Sequence, residues 1–191
     1  MTAKLKRNYI SGRRVALVLL PIALSACASN KGVYPAEWVA LSTDNTCTQL
    51  SGTYRNEGEY KVDKFYRSDL ADELLQTPKE RIAANGADIV ELSRSGSILY
   101  VRVLKDTNIV GFAQYPQTRC KDGWLVIAGE AGLPQGKGNP LVGYSDETTT
   151  LRLANDGSLV VRRSGNAAGL IFGVMPMAEH SVFYAHYSVR R

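Results

Sequence analysis

The chain is poor in the groups that do chemistry. Its 191 residues include two histidines and three cysteines. It holds no Gly-x-Ser-x-Gly, Ser-x-x-Lys or His-Glu-x-x-His pattern and no phosphate-binding loop, which removes the familiar nucleophile, zinc-protease and nucleotide signatures. No Cys-x-x-Cys or His-x-x-x-His spacing is present to bind zinc, and no cofactor is implied. Gly136-Lys-Gly138 runs into Asn139-Pro140, and that proline prevents the helix N-terminus a dinucleotide site needs. An apolar run of spanning length is also missing. Val15 to Leu24 is ten residues long, and a helix of that length covers about half of a hydrocarbon core.

What the N-terminus does contain is ordered in three parts. Lys4, Lys6, Arg7, Arg13 and Arg14 form a basic segment, the apolar run follows, and Leu24-Ser25-Ala26-Cys27 closes it. This resembles the signal peptide and lipobox of bacterial lipoproteins. The resemblance implies that the Cys27 thiol receives a diacylglycerol and that residues 1–26 are removed. It also implies that the new amino terminus is acylated in a Gram-negative cell. Ala28, where an aspartate would retain a lipoprotein in the inner membrane, points to the periplasmic face of the outer membrane. An ordinary secretory signal with a chance cysteine, and twin-arginine export through Arg13-Arg14, are the competing readings. One acyl chain holds only marginally, whereas two or more hold a protein on a bilayer stably. The membrane is thus an expected partner through the anchor.

Cleavage changes the charge argument. Removing residues 1–26 from 191 leaves 165, and the removed segment carries five of the 23 Lys and Arg and none of the 18 Asp and Glu. Eighteen charges of each sign remain, so the pI near 9.1 belongs to the targeting segment. No compositional case for a nucleic-acid partner survives. A chain of this length makes one ordinary domain. Cys47 and Cys120 remain after lipidation of Cys27, and in an oxidising compartment two such cysteines are expected to form a disulfide, the alternative being two buried thiols.

Three regions follow the signal: the lipidated cysteine and a tether over 27–45, then a single β-rich domain over 46–191. The domain opens on Cys47-Thr-Gln-Leu-Ser-Gly-Thr-Tyr-Arg-Asn-Glu-Gly58. That segment resembles the opening of some small uncharacterised proteobacterial lipoproteins, a resemblance that brings no function with it. Short helices are expected between 68 and 85. Ser68 and Asp69 can cap a turn carrying Leu70, Leu74 and Leu75, and Thr77-Pro-Lys-Glu80 is a capping box with proline at its first position. Strand-like runs then recur at 87–93, 97–104, 109–115, 123–128, 148–154, 158–163, 169–174 and 181–189. They predict a mainly β fold, an antiparallel meander closing as a barrel or folding as a sandwich.

Two hairpins can be read in detail. A three-residue Asn155-Asp156-Gly157 loop pairs Leu153 with Leu159 and Leu151 with Val161, with Gly157 left-handed. Arg94-Ser95-Gly96 can do the same for Leu92 and Ile98. Gly96 to Arg102 resembles Gly157 to Arg162, either as a duplicated unit or as common β composition.

The candidate sites are few. His180 and His186 fall on one face with Val182 and Tyr184 if all lie on the last strand, a spacing too wide for a metal without a carboxylate between them. Gly129 to Gly143 is a long aperiodic segment, and Trp124, Lys137 and Tyr144 are its candidate ligand- or partner-contacting residues. The leading expectation is a non-catalytic lipoprotein whose domain binds an envelope protein or stabilises an envelope assembly. The rivals are a carrier of a lipid or hydrophobic molecule, with a barrel mouth at 129–143, and a hydrolase with a histidine beside a nucleophile and an acid.

Overall fold

The computed structural model describes residues 27–30, 32–61, 65–127, 131–132, 141–171 and 174–190. Lys137 and most of the 129–143 segment lie outside them, as do residues 1–26. The chain is mainly β. Its strands are β1 (Cys27–Asn30), β2 (Gly52–Arg55), β3 (Glu57–Lys61), β4 (Phe65–Asp69), β5 (Ile89–Ser95), β6 (Ile98–Lys105) and β7 (Asn108–Tyr115). They continue as β8 (Arg119–Lys121), β9 (Trp124–Ile127), β10 (Ala131–Gly132), β11 (Leu141–Leu153), β12 (Leu159–Ile171) and β13 (Met175–Tyr187). Two short helices, α1 (Leu70–Leu74) and α2 (Pro78–Ala83), separate β4 from β5.

The strands form two sheets. One has four strands in the order β2-β5-β6-β7. The other runs β4-β3-β13-β12-β11-β9-β8, with β1 added to β13 and β10 to β11. Neither is a closed barrel, and the sandwich expectation holds. Alternate residues of both sheets meet in one core. Tyr54, Val90, Leu92, Leu99, Val101 and Val103 come from the small sheet, and Leu125, Ile127, Leu151, Leu159, Val161 and Tyr187 from the large one. α1 adds Leu70 and Leu74, with Leu75 just after it. Each such side chain stabilises by roughly 1.5–3 kcal/mol when fully buried, so this cluster dominates the fold energetically. The sheets are joined where the chain leaves β13. Tyr54 bridges to Val189, and Arg190 N donates to Thr53 O at 2.8 Å.

Cys47, Leu50, Gly52, Tyr54, Asn56 and Gly58 of the opening motif have structural roles. Cys47 enters a disulfide, Leu50 is buried, and the Tyr54 hydroxyl donates to Leu50 O at 3.2 Å. A Cβ on Gly52 would lie 3.1 Å from that hydroxyl, and one on Gly58 only 2.3 Å from the Tyr187 ring. Asn56, 2% exposed, ties the β2–β3 corner to α1 and to the entry of β5.

Local expectations fare unevenly. Asp69 occupies the N-cap position of α1 but makes no side-chain capping bond, the Asn56 carboxamide accepting Ala71 N–H instead, whereas Thr77 and Glu80 form the capping box of α2 with Pro78 at its first position. The β11–β12 hairpin has the expected register, Leu153 opposite Leu159 and Leu151 opposite Val161, with Gly157 at φ 85°. The β5–β6 hairpin does not. Ser95 pairs with Ile98 across a two-residue Gly96-Ser97 turn, so Leu92 faces Val101. The expected register would have turned Arg102 toward the core. The observed one buries Leu99, Val101 and Val103 and leaves Arg102 on the outside, 2.7 Å from Glu91.

The run expected at 158–163 and the start of that expected at 169–174 are one strand, β12, residues 172–173 lying outside the described ones. Gly165 and Gly169 do not break it, because both neighbours run alongside for their whole length. β11, β12 and β13 therefore make a three-stranded ribbon whose inner half packs on the core.

Candidate functional site

Residues 32–42 lie on the outer face of the large sheet. Leu41 bridges to Ala154, Ser42 N donates to Leu153 O at 2.8 Å, and Asn155 N donates to Ala40 O at 2.9 Å. Trp38 is the reason. Its indole is buried, and its Nε1 donates to Glu59 at 2.9 Å, which satisfies the polar atom that burial strands. Part of the stretch expected as a tether thus covers the sheet as a third layer.

Under this cover lies an aromatic cluster. Tyr34 meets Trp38 and Tyr184 edge-on, both at 5.6 Å between ring centres. Trp38 covers the His186 ring at 5.2 Å, and Trp124 approaches Tyr184 at 6.4 Å. Arg152 sits 5.7 Å over Trp124 and hydrogen-bonds Ser42 O and Asp122 O, which fixes its guanidinium. Trp124 thus packs, half-buried, between Tyr184 and Arg152. Tyr144 lies far along β11 from Arg152, opposite Ala168, so the structure does not bring Trp124 and Tyr144 together. A cleft of about 480 Å³ opens beside this cover, between residues 32–37, Lys61 and residues 182–184.

Both histidines lie on β13, on the expected face. His180 Nδ1 is 2.8 Å from Asn166 Oδ1, and His186 Nε2 is 2.8 Å from Ser158 Oγ. The second contact has two elements of a hydrolytic site, but its polarity is reversed. Ser158 has one hydroxyl proton, and it goes to Asp156 Oδ1 at 2.5 Å. His186 then donates to Ser158, so it cannot also take the serine proton as a general base. Ser158 is 2% exposed, and Trp38 covers His186. Burial pushes the Asp156 carboxyl up, but the Ser158 hydrogen bonds and the nearby His186 outweigh it and hold the group below its ordinary value. The trio caps the β11–β12 turn, where Ser158 N also donates to Asp156 at 3.0 Å. Among the described residues no group of three or more His, Cys, Asp or Glu could hold a metal ion.

Cys47 and Cys120 form a disulfide with their Cα atoms 5.9 Å apart. It ties the start of the domain to β8, directly before the Trp124 strand. Cys27, the third cysteine, opens β1, which runs parallel to β13 with Cys27 at the level of Ala178. Sequence patterning does not single out the outer half of the β12–β13 hairpin beside it. A signal exists there: Ala167 to Ala178 is a twelve-residue run without a charge. No protein-family model matches the chain, and no significant similarity to a curated protein or a solved structure is found.

Proposed function

We propose that this chain is an exported lipoprotein, held through acyl chains on Cys27 at the periplasmic face of the outer membrane. Its sandwich acts there as a non-catalytic module that binds an envelope protein or stabilises an envelope assembly. The observation that carries this is the disposition of the three cysteines. Cys47 and Cys120 are joined, as an oxidising compartment favours, and the remaining one stands directly after Leu24-Ser25-Ala26. The space between the sheets is filled by Tyr54, Tyr187 and leucines, all nearly inaccessible, which supports a binding surface over an interior carrier cavity.

The polarity of the Asp156–Ser158–His186 chain weighs against the hydrolase reading. The described cleft beside residues 32–37 keeps a carrier of a lipid or hydrophobic molecule as the second reading. Intact mass spectrometry of protein purified from its native envelope should show acyl additions on a chain beginning at Cys27, and a mature mass without lipid overturns the anchoring. Purification from detergent-solubilised envelope should retain a protein in fixed ratio. Retention of a small hydrophobic molecule alone transfers the conclusion to the carrier.

A further inference from the structure

Four cross-strand levels at the outer end of the β11–β12–β13 ribbon carry no charge. Taken inward, their described side chains are Met175; then Leu170 and Pro176; then Met177 beside Gly143 and Gly169; then Tyr144, Ala168 and Ala178. Paired residues in an antiparallel sheet share a face and successive levels alternate, so both faces of this end are apolar. A strand pair that only needed to pack on the core would alternate apolar with polar. The end is also open to solvent: Val174 is 79% exposed, Met175 59%, Tyr144 52% and Leu170 41%. Such an exposed apolar patch marks an interaction site.

The next levels inward reverse in character. Glu179 lies opposite Ala167, and Asp146, Asn166 and His180 form a polar rung. Asn166 Nδ2 donates to Asp146 at 2.8 Å, and Asn166 Oδ1 faces His180 at 2.8 Å. Glu147 follows at the next level, opposite Gly165, and its carboxylate pairs diagonally with Arg163 two levels further in, which also reaches Glu73. The ribbon thus has an uncharged end of about 10 Å, four levels at a strand rise of about 3.4 Å, and then a charged collar.

The position of Cys27 beside β13 identifies the surface that covers this end. β1 lies along β13 in parallel, and Cys27 stands opposite Ala178, in the innermost uncharged level. The lipid-bearing residue and the border between the apolar end and the collar therefore coincide. We propose that the outer end of the β11–β13 ribbon inserts into the headgroup–acyl boundary of the phospholipid bilayer, beside the acyl chains on Cys27. The inference rests on the lipoprotein reading for its geometry. An apolar element of this length matches the 5–10 Å depth, roughly, at which amphipathic segments seat in that boundary. The collar residues Asp146, Glu147 and Glu179 stop it there, because a carboxylate entering the acyl region loses its water.

The test uses the acylated full-length mature protein carrying Val174→Trp, reconstituted in phosphatidylethanolamine–phosphatidylglycerol vesicles with brominated acyl chains. Emission is read against the unsubstituted protein, which has Trp38 and Trp124. The Val174→Trp signal should be lost to brominated lipid and shielded from aqueous acrylamide. Ile82→Trp, an exposed position on α2, should behave in the opposite way. Met175→Trp repeats the measurement if the first variant folds poorly. Intact mass on the same sample separates the two ideas. An acylated protein whose tip tryptophan is quenched by acrylamide and not by brominated lipid overturns the insertion and leaves the anchor standing. A tip shielded from both quenchers overturns it in favour of a protein partner or a second copy. If no acyl mass is found, the anchor fails, and added vesicles decide the insertion by the same quenching criterion.

Discussion

The Asn56 side chain accepts the Ala71 N–H at 2.7 Å, a bond that holds the first turn of α1 against the β2–β3 corner. Its other atoms are committed as well. Nδ2 donates to Ala87 O at 3.1 Å, its backbone carbonyl accepts Leu70 N at 2.8 Å, and its own N donates to Asp88 O at 2.9 Å. Removing the carboxamide leaves a buried donor and a buried acceptor unpaired, at about 1–3 kcal/mol each. Asn56→Ala should therefore lower stability by about 2–5 kcal/mol in urea unfolding. Asn56→Asp keeps the acceptor for Ala71 but loses the donor to Ala87. A loss below about 1 kcal/mol for Asn56→Ala would show that the corner is held by packing alone.

Gly58 makes a second, steric claim. A Cβ there would stand 2.3 Å from Tyr187 Cδ1 and 2.4 Å from His186 O. The ring is fixed by burial and by the contact of its hydroxyl with Ser68 at 2.8 Å, and the carbonyl is backbone. Neither can move aside cheaply. Gly58→Ala should cost about 1–3 kcal/mol, as overpacking of a filled core does. Gly96→Ala is the contrasting case. Nothing lies within 4 Å of its added Cβ, so its cost comes only from the positive φ of 60°. Equal losses in thermal unfolding would refute the steric account of Gly58.

Elements governed by local chemistry were legible in the sequence. Thr77 and Glu80 name their own partners within one turn, and the Asn155-Asp156-Gly157 loop has one register that pairs apolar residues on one side. At the β5–β6 turn two registers each satisfy Leu92, and only the placement of Arg102 distinguishes them. β2, β3 and β4 were not expected as strands, since Glu57, Glu59 and Lys61 do not produce an apolar alternation. β3 and β4 form a local hairpin, but β2 pairs with β5 and β3 with β13, neighbours distant in sequence. The ribbon end escaped for a related reason. A run that is apolar on both faces looks like a buried strand, and only the fold shows that Val174, Met175, Tyr144 and Leu170 are left exposed among the described residues.

The Cys47–Cys120 bridge closes a separation of 73 residues. On the loop-entropy account its removal should cost about 4 kcal/mol. Cys47→Ser and Cys120→Ser should lose similar amounts, and the double variant no more than either, because each single change already opens the loop. Labelling of denatured, unreduced protein gives the direct reading. Two reactive thiols in addition to any at Cys27 would sink the bridge.

Two buried phenols predict an alkaline limit to stability. Burial pushes the Tyr54 hydroxyl up to about 12 from an ordinary 10.0. Tyr187 is raised as well, by burial first and then by the Glu73 charge, against the lowering effect of its Ser68 hydrogen bond. Both groups are neutral in the folded protein at pH values where the unfolded chain has already lost their protons. The stability they contribute is therefore fully present below about pH 10 and falls as pH rises from there through about 12. Below that window neither group changes stability with pH. Tyr54→Phe should lose about 1 kcal/mol at neutral pH through the Leu50 hydrogen bond. Each phenylalanine variant should show a shallower decline in urea midpoint across the alkaline window. In the wild type, part of the tyrosinate absorbance should appear only as the protein unfolds. A decline of the same slope in Tyr54→Phe, Tyr187→Phe and the wild type would show that other groups set the limit.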